Sequence, residues 1–164
     1  MALENKATLP MDSQDKPLYD STWSPLKCER LVTFTGGTAN TWGDYDGTKD
    51  GSSLFTVTGV VKMRMIGIVE TSIVGAGTIE AGIVGATAVL IAQVADAEDL
   101  DVGEIWHDAT VDAKVELTSV ATEKIITVDP NLTIGTANIT AGAVRFLVSS
   151  YPMSEGAMVI PTTD

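Results

Sequence analysis

The chain has 164 residues, of which 45% are hydrophobic, and this suits one domain with a substantial buried core. It carries 22 acidic side chains against 10 basic ones, for a formal net charge of −12. This acidity argues against binding to nucleic-acid phosphates or to an anionic membrane surface, and it favours solubility or a basic partner. The single cysteine, Cys28, excludes an internal disulfide framework.

The beginning of the chain, MALENKATLP, lacks the apolar core that a secretory signal peptide has. The most apolar stretch, 81–92, is shorter than the roughly 20 residues that a membrane-spanning helix needs. We therefore expect synthesis and assembly in a reducing cytoplasm.

Residues 1–30 predict an extended N-terminal arm. Pro10, Pro17 and Pro25 bias their neighbours toward extended backbone, and neither a helical nor a strand period persists. Large apolar side chains are scattered through this segment, which favours docking on a neighbour or on the chain's own domain. The contact candidates in the arm are Leu18, Tyr19, Trp23 and Leu26.

Beyond the arm, the pattern is one of strands separated by turns. Residues 31–35 predict a first strand, 36–51 a turn-rich loop, and 54–69 a long strand with a bulge or bend at Gly59. In the long strand, charged residues alternate with apolar ones, which indicates one face exposed to water. Ile66 and Ile68 fall on the charged side and make this alternation imperfect.

The second half of the chain continues in the same way. Residues 78–84 and 88–94 predict a hairpin, 96–104 an acidic loop, and an alanine-rich helix over 86–100 is the main alternative. Shorter strands are predicted at 105–107, 115–117, 124–128 and 132–134. The last predicted strand, 143–150, places Val144, Phe146 and Val148 on one face and Arg145, Leu147 and Ser149 on the other.

Composition and pattern together predict the fold class. Val, Ile and Thr account for 50 of the 164 residues, and these side chains pack well on pleated sheets. No convincing amphipathic helix lies between the predicted strands, which argues against a parallel α/β fold. We expect an all-β antiparallel β-sandwich, jelly-roll-like or immunoglobulin-like, over 31–151, followed by a loose tail over 152–164.

The residues that carry most enzyme chemistry are scarce. The single histidine, His107, has no G-x-S-x-G nucleophile motif to serve, and one histidine with one cysteine cannot build an ordinary zinc site. Cys28 falls in the predicted arm, a poor place for a pre-organised nucleophile. We expect no enzymatic activity and no cofactor.

Asp44, Asp46 and Asp50 are calcium candidates, because alternating carboxylates in a glycine-containing loop can wrap a hard cation. The EF-hand pattern fails here, since Lys49 stands at its glycine position and Phe55 at its closing glutamate position. Asp and Gly are also ordinary residues of tight turns. We expect turns rather than a metal site here, with calcium binding as the alternative. The same two interpretations apply to the acidic loop over 96–104.

Four turn and strand segments follow one another along the chain: FTGGTAN at 34–40, LFTVTG at 54–59, EIWHDAT at 104–110 and IGTANITAG at 134–142. In order and spacing they resemble a family of small tailed-bacteriophage proteins that are usually encoded near the major capsid gene. The resemblance covers residues 31–152 and implies no catalytic residues.

The resemblance implies a virion component, with capsid decoration, cement or minor head protein as its role. The implied partners are the major capsid protein and sister copies of the chain, with a homotrimer as one arrangement. The implied location is the capsid surface of the virion, after synthesis in the host cytoplasm.

Two other functions stay open. A β-sandwich module that binds host-surface glycans would use Trp42 and Tyr45, expected to be exposed in the first loop, as an aromatic platform. A tail or head–tail connector component would differ from a decoration protein in its low copy number per particle.

Overall fold

The computed structural model describes residues 25–38, 40–108 and 122–163, and it shows an all-β fold made of antiparallel sheets. The strands are β1 (Leu26–Thr33), β2 (Ser52–Ser53), β3 (Phe55–Thr58), β4 (Val61–Val74), β5 (Thr78–Ile83), β6 (Ala86–Val94), β7 (Ile105–Trp106), β8 (Lys124–Ile126), β9 (Asn131–Gly135), β10 (Ala141–Pro152) and β11 (Met158–Pro161). A 3-10 turn at Ala97–Asp99 joins β6 to β7. Among the described residues, no helix is long and apolar enough to cross a membrane.

The larger sheet has five strands: β1, β10, β4 and β7 lie side by side, and β8 also pairs with β4. All of its pairs are antiparallel. Its inner face is apolar, because Val144, Phe146 and Val148 of β10 and Met63 and Met65 of β4 are all buried. The alternation predicted for the last strand and for the long strand is confirmed.

A second sheet has the strand order β2-β9-β5-β6, and a two-stranded ribbon pairs β3 with β11. Ile79 and Ala81 of β5 and Leu132 and Ile134 of β9 are buried in the same hydrophobic cluster as the inner face of the larger sheet. The two sheets therefore share one core in a sandwich-like arrangement, as the β-branched composition predicts.

Trp106 joins the two sheets. Its indole Nε1 donates to the carbonyl oxygen of Ala92 in β6 at 2.9 Å, and its ring lies 5.9 Å from that of Phe146. Gly67, opposite Trp106 in the register, leaves room for this ring. A Cβ at Gly67 would lie 2.8 Å from Cγ1 of Val144 and 3.2 Å from Cε3 of Trp106.

Arg30 ties β1 to the segment between β2 and β3. Its guanidinium is buried, and Nη1 donates to the carbonyl oxygens of Ser53 at 3.1 Å and Leu54 at 3.0 Å. The hydroxyl of Thr162, just after β11, donates to the same two carbonyls at 2.6 and 3.0 Å. Charge-assisted hydrogen bonds of this kind offset the cost of burying a cation.

The predicted boundary between arm and domain at residue 30 is wrong, since β1 begins at Leu26 and residues 26–30 pair with β10. The strand at 26–30 was missed because of Arg30, since a charged side chain in a short segment does not indicate a buried strand position. The predicted arm residues 1–24 lie outside the described residues.

The loose tail predicted over 152–164 is also corrected. The last long strand extends to Pro152, and β11 pairs with β3 and buries Val159. A four-residue strand is too short for its alternation to stand out in the sequence, and its partner lies about a hundred residues away along the chain.

The predicted hairpin is confirmed as β5 and β6, joined at Val84 and Gly85, and the helical alternative is wrong over 86–94. Gly85 has a φ of 83°, a left-handed conformation that glycine adopts without strain. Gly59, with a φ of 70°, marks the break between β3 and β4. The predictions at 105–107, 124–128 and 132–134 match β7, β8 and β9, whereas 115–117 lies outside the described residues.

Candidate contact surface

Trp42 is buried, so its predicted role as an exposed platform residue is wrong. Only 6% of it is exposed, with the Arg30 guanidinium 5.2 Å and the Lys49 Nζ 5.4 Å from its ring centroid. Two cations near one indole indicate cation–π packing, which makes this ring part of the domain interior. Tyr45 is 41% exposed, as expected, but Trp42, the other ring of the predicted glycan platform, is not exposed beside it.

The first loop is held against the connection between β9 and β10. The backbone N–H of Tyr45 donates to Asn138 Oδ1 at 2.8 Å, and the backbone N–H of Ile139 donates to the Gly43 carbonyl at 2.8 Å. Gly36 donates to the Ile139 carbonyl at 2.9 Å. The loop is therefore a docked element of the fold.

The three calcium candidates have separate structural roles. Asp50 Oδ1 accepts from the backbone N–H of Ile134 at 2.8 Å, and the Asp44 carbonyl accepts from Gly47 N–H at 3.2 Å. Asp46 has a φ of 57°, in the left-handed region that Asp tolerates in turns. Among the described residues, no group of three or more His, Cys, Asp or Glu side chains is placed to hold a metal ion.

The second acidic loop also uses its carboxylates to organise backbone. Glu98 Oε1 accepts from Gly75 N–H at 2.9 Å, and Asp101 Oδ1 accepts from the Ser72 hydroxyl at 3.0 Å. Asp96 accepts from Glu98 N–H and starts the 3-10 turn. These bonds attach the loop to the end of β4.

Cys28 and His107 are not a reactive pair. Cys28 lies in β1, whereas His107 follows β7, and β10 and β4 lie between these strands. At about 4.8 Å per strand step, the two residues are roughly 14 Å apart. Burial raises the pKa of the Cys28 thiol to about 11, which disfavours the nucleophilic thiolate.

His107 and Asp108 follow β7 and directly precede residues 109–121, which lie outside the described residues. His107 is buried, with Nδ1 3.5 Å from Asp108 Oδ1. Although partial burial alone would raise the pKa of Asp108, hydrogen bonds from the Thr122 hydroxyl and backbone N–H hold it below its usual value. The carboxylate therefore links Asp108 to Thr122, the described residues on either side of this segment.

The side of the larger sheet away from the core carries three rows of side chains that cross β1, β10 and β4. We call this the outer face, and its residues are Lys27, Ser149 and Arg64 in the first row, Glu29, Leu147 and Ile66 in the second, and Leu31, Arg145 and Ile68 in the third. The apolar side chains of the second and third rows are half-buried or exposed, and charged groups surround them. This mixture is typical of protein contact surfaces.

Arg145 organises the third row. Its Nε donates to Glu70 Oε1 at 2.5 Å and its Nη1 donates to Glu29 Oε1 at 3.0 Å. The hydrogen bond to Glu70 is the main cause that raises the pKa of Arg145 above its usual value. These contacts connect β10 through Arg145 to Glu70 of β4 and Glu29 of β1.

A depression crosses the first two rows of the outer face. Its lining includes Pro25, Lys27, Arg64, Ile66 and Leu147. Leu26, a predicted contact residue, is 48% exposed at the start of β1, whereas Leu18, Tyr19 and Trp23 lie outside the described residues. Pro25, the first described residue of the chain, lines the depression.

The outer face was not predicted as a site from the sequence, although one signal of it was visible. Ile66 and Ile68 occupy the charged side of the long strand, and Leu147 occupies the corresponding side of the last strand. Their convergence depends on the register between β4 and β10, which local periodicity does not contain.

Comparison of the chain with protein-family models, with curated proteins and with solved structures finds no match. The outer face combines a rigid support, an apolar centre and charged groups on adjacent strands. We therefore take it as the candidate contact surface.

Proposed function

We propose that this chain is a non-enzymatic structural protein of a tailed-phage virion, which binds the assembled shell and stabilises it as a decoration, cement or minor head protein. In this proposal its partners are the major capsid protein and sister copies of the chain, and its location is the capsid surface. The outer face is the observation that supports the proposal best, together with the sequence resemblance.

The outer face has the physical properties that adhesion requires. Leu147 and Ile66 are adjacent, apolar and incompletely buried, so a partner that covers them removes further apolar surface from water. Charged residues around them can select a partner and set its orientation. Because the opposite side of the same strands is fully packed, the surface needs little ordering when it binds.

A shell offers many equivalent attachment points. Each contact can be individually modest, because multiple linked contacts raise the overall strength of attachment through effective concentration. A chain with a net charge of −12 is suited to a basic shell surface, and such attraction weakens as salt screens it.

The test is reconstitution on particles. Shells of the encoding phage, prepared without this chain, are mixed with purified wild type or with the Leu147→Asp variant, and bound protein is measured after sedimentation. We expect saturable binding of the wild type and at least a tenfold weaker binding of the variant, because a carboxylate would be placed in the apolar centre.

Val84→Asp is the matched control, because Val84 is 81% exposed at the β5–β6 turn, away from the outer face. It should bind as the wild type does. Equal binding of Leu147→Asp and wild type would refute the role of the outer face, and failure of the wild type to bind would refute the proposed function. Quantitative mass spectrometry of intact particles distinguishes a decoration protein, with hundreds of copies, from a connector component with few.

A further inference from the structure

The direction of each hydrogen bond in β1 follows from its register with β10. Val32 lies opposite Val144, and one step further along the same register the backbone N–H of Phe34 donates to the Gly142 carbonyl at 2.9 Å. In an antiparallel pair, backbone groups of alternate residues point toward the partner strand. The even-numbered residues of β1 therefore bond to β10, and the odd-numbered residues point away from it.

The outward edge of β1 thus presents the backbone N–H and C=O groups of Lys27, Glu29, Leu31 and Thr33. No strand among the described residues pairs with this edge. The edge is covered just beyond β1, where the N–H of Thr35 donates to the Trp42 carbonyl at 2.9 Å. A row of backbone groups that has no strand partner among the described residues, along an eight-residue edge strand, is a template for an added strand.

We propose that β1 of a second copy of this chain pairs antiparallel with this edge across a twofold axis, so that the two larger sheets form one continuous sheet. Closed twofold pairing is the commonest symmetry of soluble oligomers. This contact is a property of the chain itself and does not depend on the identity of the shell.

Charge complementarity selects the register. With the axis at Cys28, each Lys27 lies opposite Glu29 of the second copy, which creates two cross-strand pairs of opposite charge. With the axis at Glu29, two carboxylates would face each other. With the axis at Arg30, neither Lys27 nor Glu29 would face an opposite charge.

The same register covers exposed apolar side chains. Leu31 is 45% exposed on the outer face, and it would pack against Pro25 of the second copy. Leu26 is 48% exposed and lies on the opposite face of β1, close to the contact between the two copies. The contact remains small, which predicts a reversible dimer rather than a permanent one.

The first test is sedimentation equilibrium of the purified full chain, without particles, over a wide concentration range. We expect a monomer–dimer equilibrium for the wild type and a monomer for Leu31→Pro, whose missing N–H belongs to the free edge. Proline is tolerated where the N–H faces solvent, so the circular-dichroism spectrum should stay that of the wild type.

A charge-exchange series tests the proposal independently of whether the proline variant folds. Lys27→Glu should weaken the dimer at least tenfold, because two pairs of like charge would replace the two opposite ones. The double variant Lys27→Glu/Glu29→Lys should recover part of that loss. A wild type that is monomeric throughout, or dimers of equal strength in wild type, Leu31→Pro and Lys27→Glu, would overturn the proposal.

Cys28 reports the register, because it is the only cysteine. The two Cys28 residues that face each other across the axis form a non-hydrogen-bonded pair. Their Cα atoms are about 4.5 Å apart, which a disulfide can span. Copper–phenanthroline at alkaline pH should therefore oxidise the two thiols to a covalent dimer, which Cys28→Ser cannot form. A dimer that resists this oxidation would contradict the register. Because these tests use no shell, their outcome is separate from that of the particle-binding experiment.

Discussion

Phe146 and Leu147 are neighbours in β10, but they lie on opposite faces of the larger sheet. Phe146 is fully buried against Trp106, whereas Leu147 is partly exposed on the outer face between Glu29 and Ile66. One step along a strand therefore separates a residue that stabilises the fold from one that is available for contact. The same strands thus form both a packed core and a candidate binding surface.

We expect the greatest loss of stability from a substitution on the inner face of the larger sheet. Phe146→Ala should lower the free energy of unfolding by about 3–5 kcal/mol, because it removes a fully buried ring and leaves a cavity beside Trp106. Leu147→Ala, measured in the same urea titrations, should cost much less. Similar losses for the two variants would mean that the two faces do not differ in burial.

A second contrast sets the buried Arg30 against the exposed Arg64. Arg30→Ala should cost about 2–3 kcal/mol, because it removes charge-assisted hydrogen bonds to the Ser53 and Leu54 carbonyls. Arg64→Ala, on the outer face, should change the free energy of unfolding by less than about 0.5 kcal/mol. Chemical denaturation of both variants checks this, and an equal cost would refute the role assigned to Arg30.

Gly67 and Ile66 are neighbours in β4 that allow the inner and outer faces to be compared directly. Gly67→Ala should destabilise by about 1–3 kcal/mol, since the new methyl group would press on Val144 and Trp106 in a packed interior. Ile66→Ala, one residue away on the outer face, should show a smaller cost in the same thermal-unfolding series. A neutral Gly67→Ala variant would show that the Val144 and Trp106 side chains can shift at little cost.

The smallest expected effect concerns pH and lies outside both faces. The pKa of Asp108 is lowered in the folded state, so its contribution to stability is present above the unfolded value of about 3.9 and is lost as the pH falls through the folded value. The wild type should therefore lose more stability than Asp108→Asn below about pH 4. Thr122→Val should flatten the profile in the same way, and parallel curves for all three proteins would contradict this account.

Local periodicity predicted much of the fold. The strands β4, β5, β6 and β10 are visible in the sequence because each is long enough for its turns and its alternation to be recognised. The short β11 was missed, since Val159 is buried only through the pairing of β11 with β3.

Prediction of the candidate site was less complete. Leu26 is 48% exposed and its contact role stays a prediction, whereas Trp42 was expected on the surface and is covered by Arg30 and Lys49. The burial of a loop residue depends on the distant segments that fold over it. Leu147 was placed on the correct face of its strand, but nothing local indicated that Ile66 would lie beside it.

The all-β class, the acidic character and the two-sidedness of the long strands follow from the sequence, because composition and a two-residue period are local properties. Which strands are neighbours follows from the tertiary structure alone. It places β1 at an end of the larger sheet, with no described strand paired to its outer edge, and it combines apolar and charged rows on the outer face. Strand order and register arise from packing between segments far apart in the chain, and no local pattern contains that information.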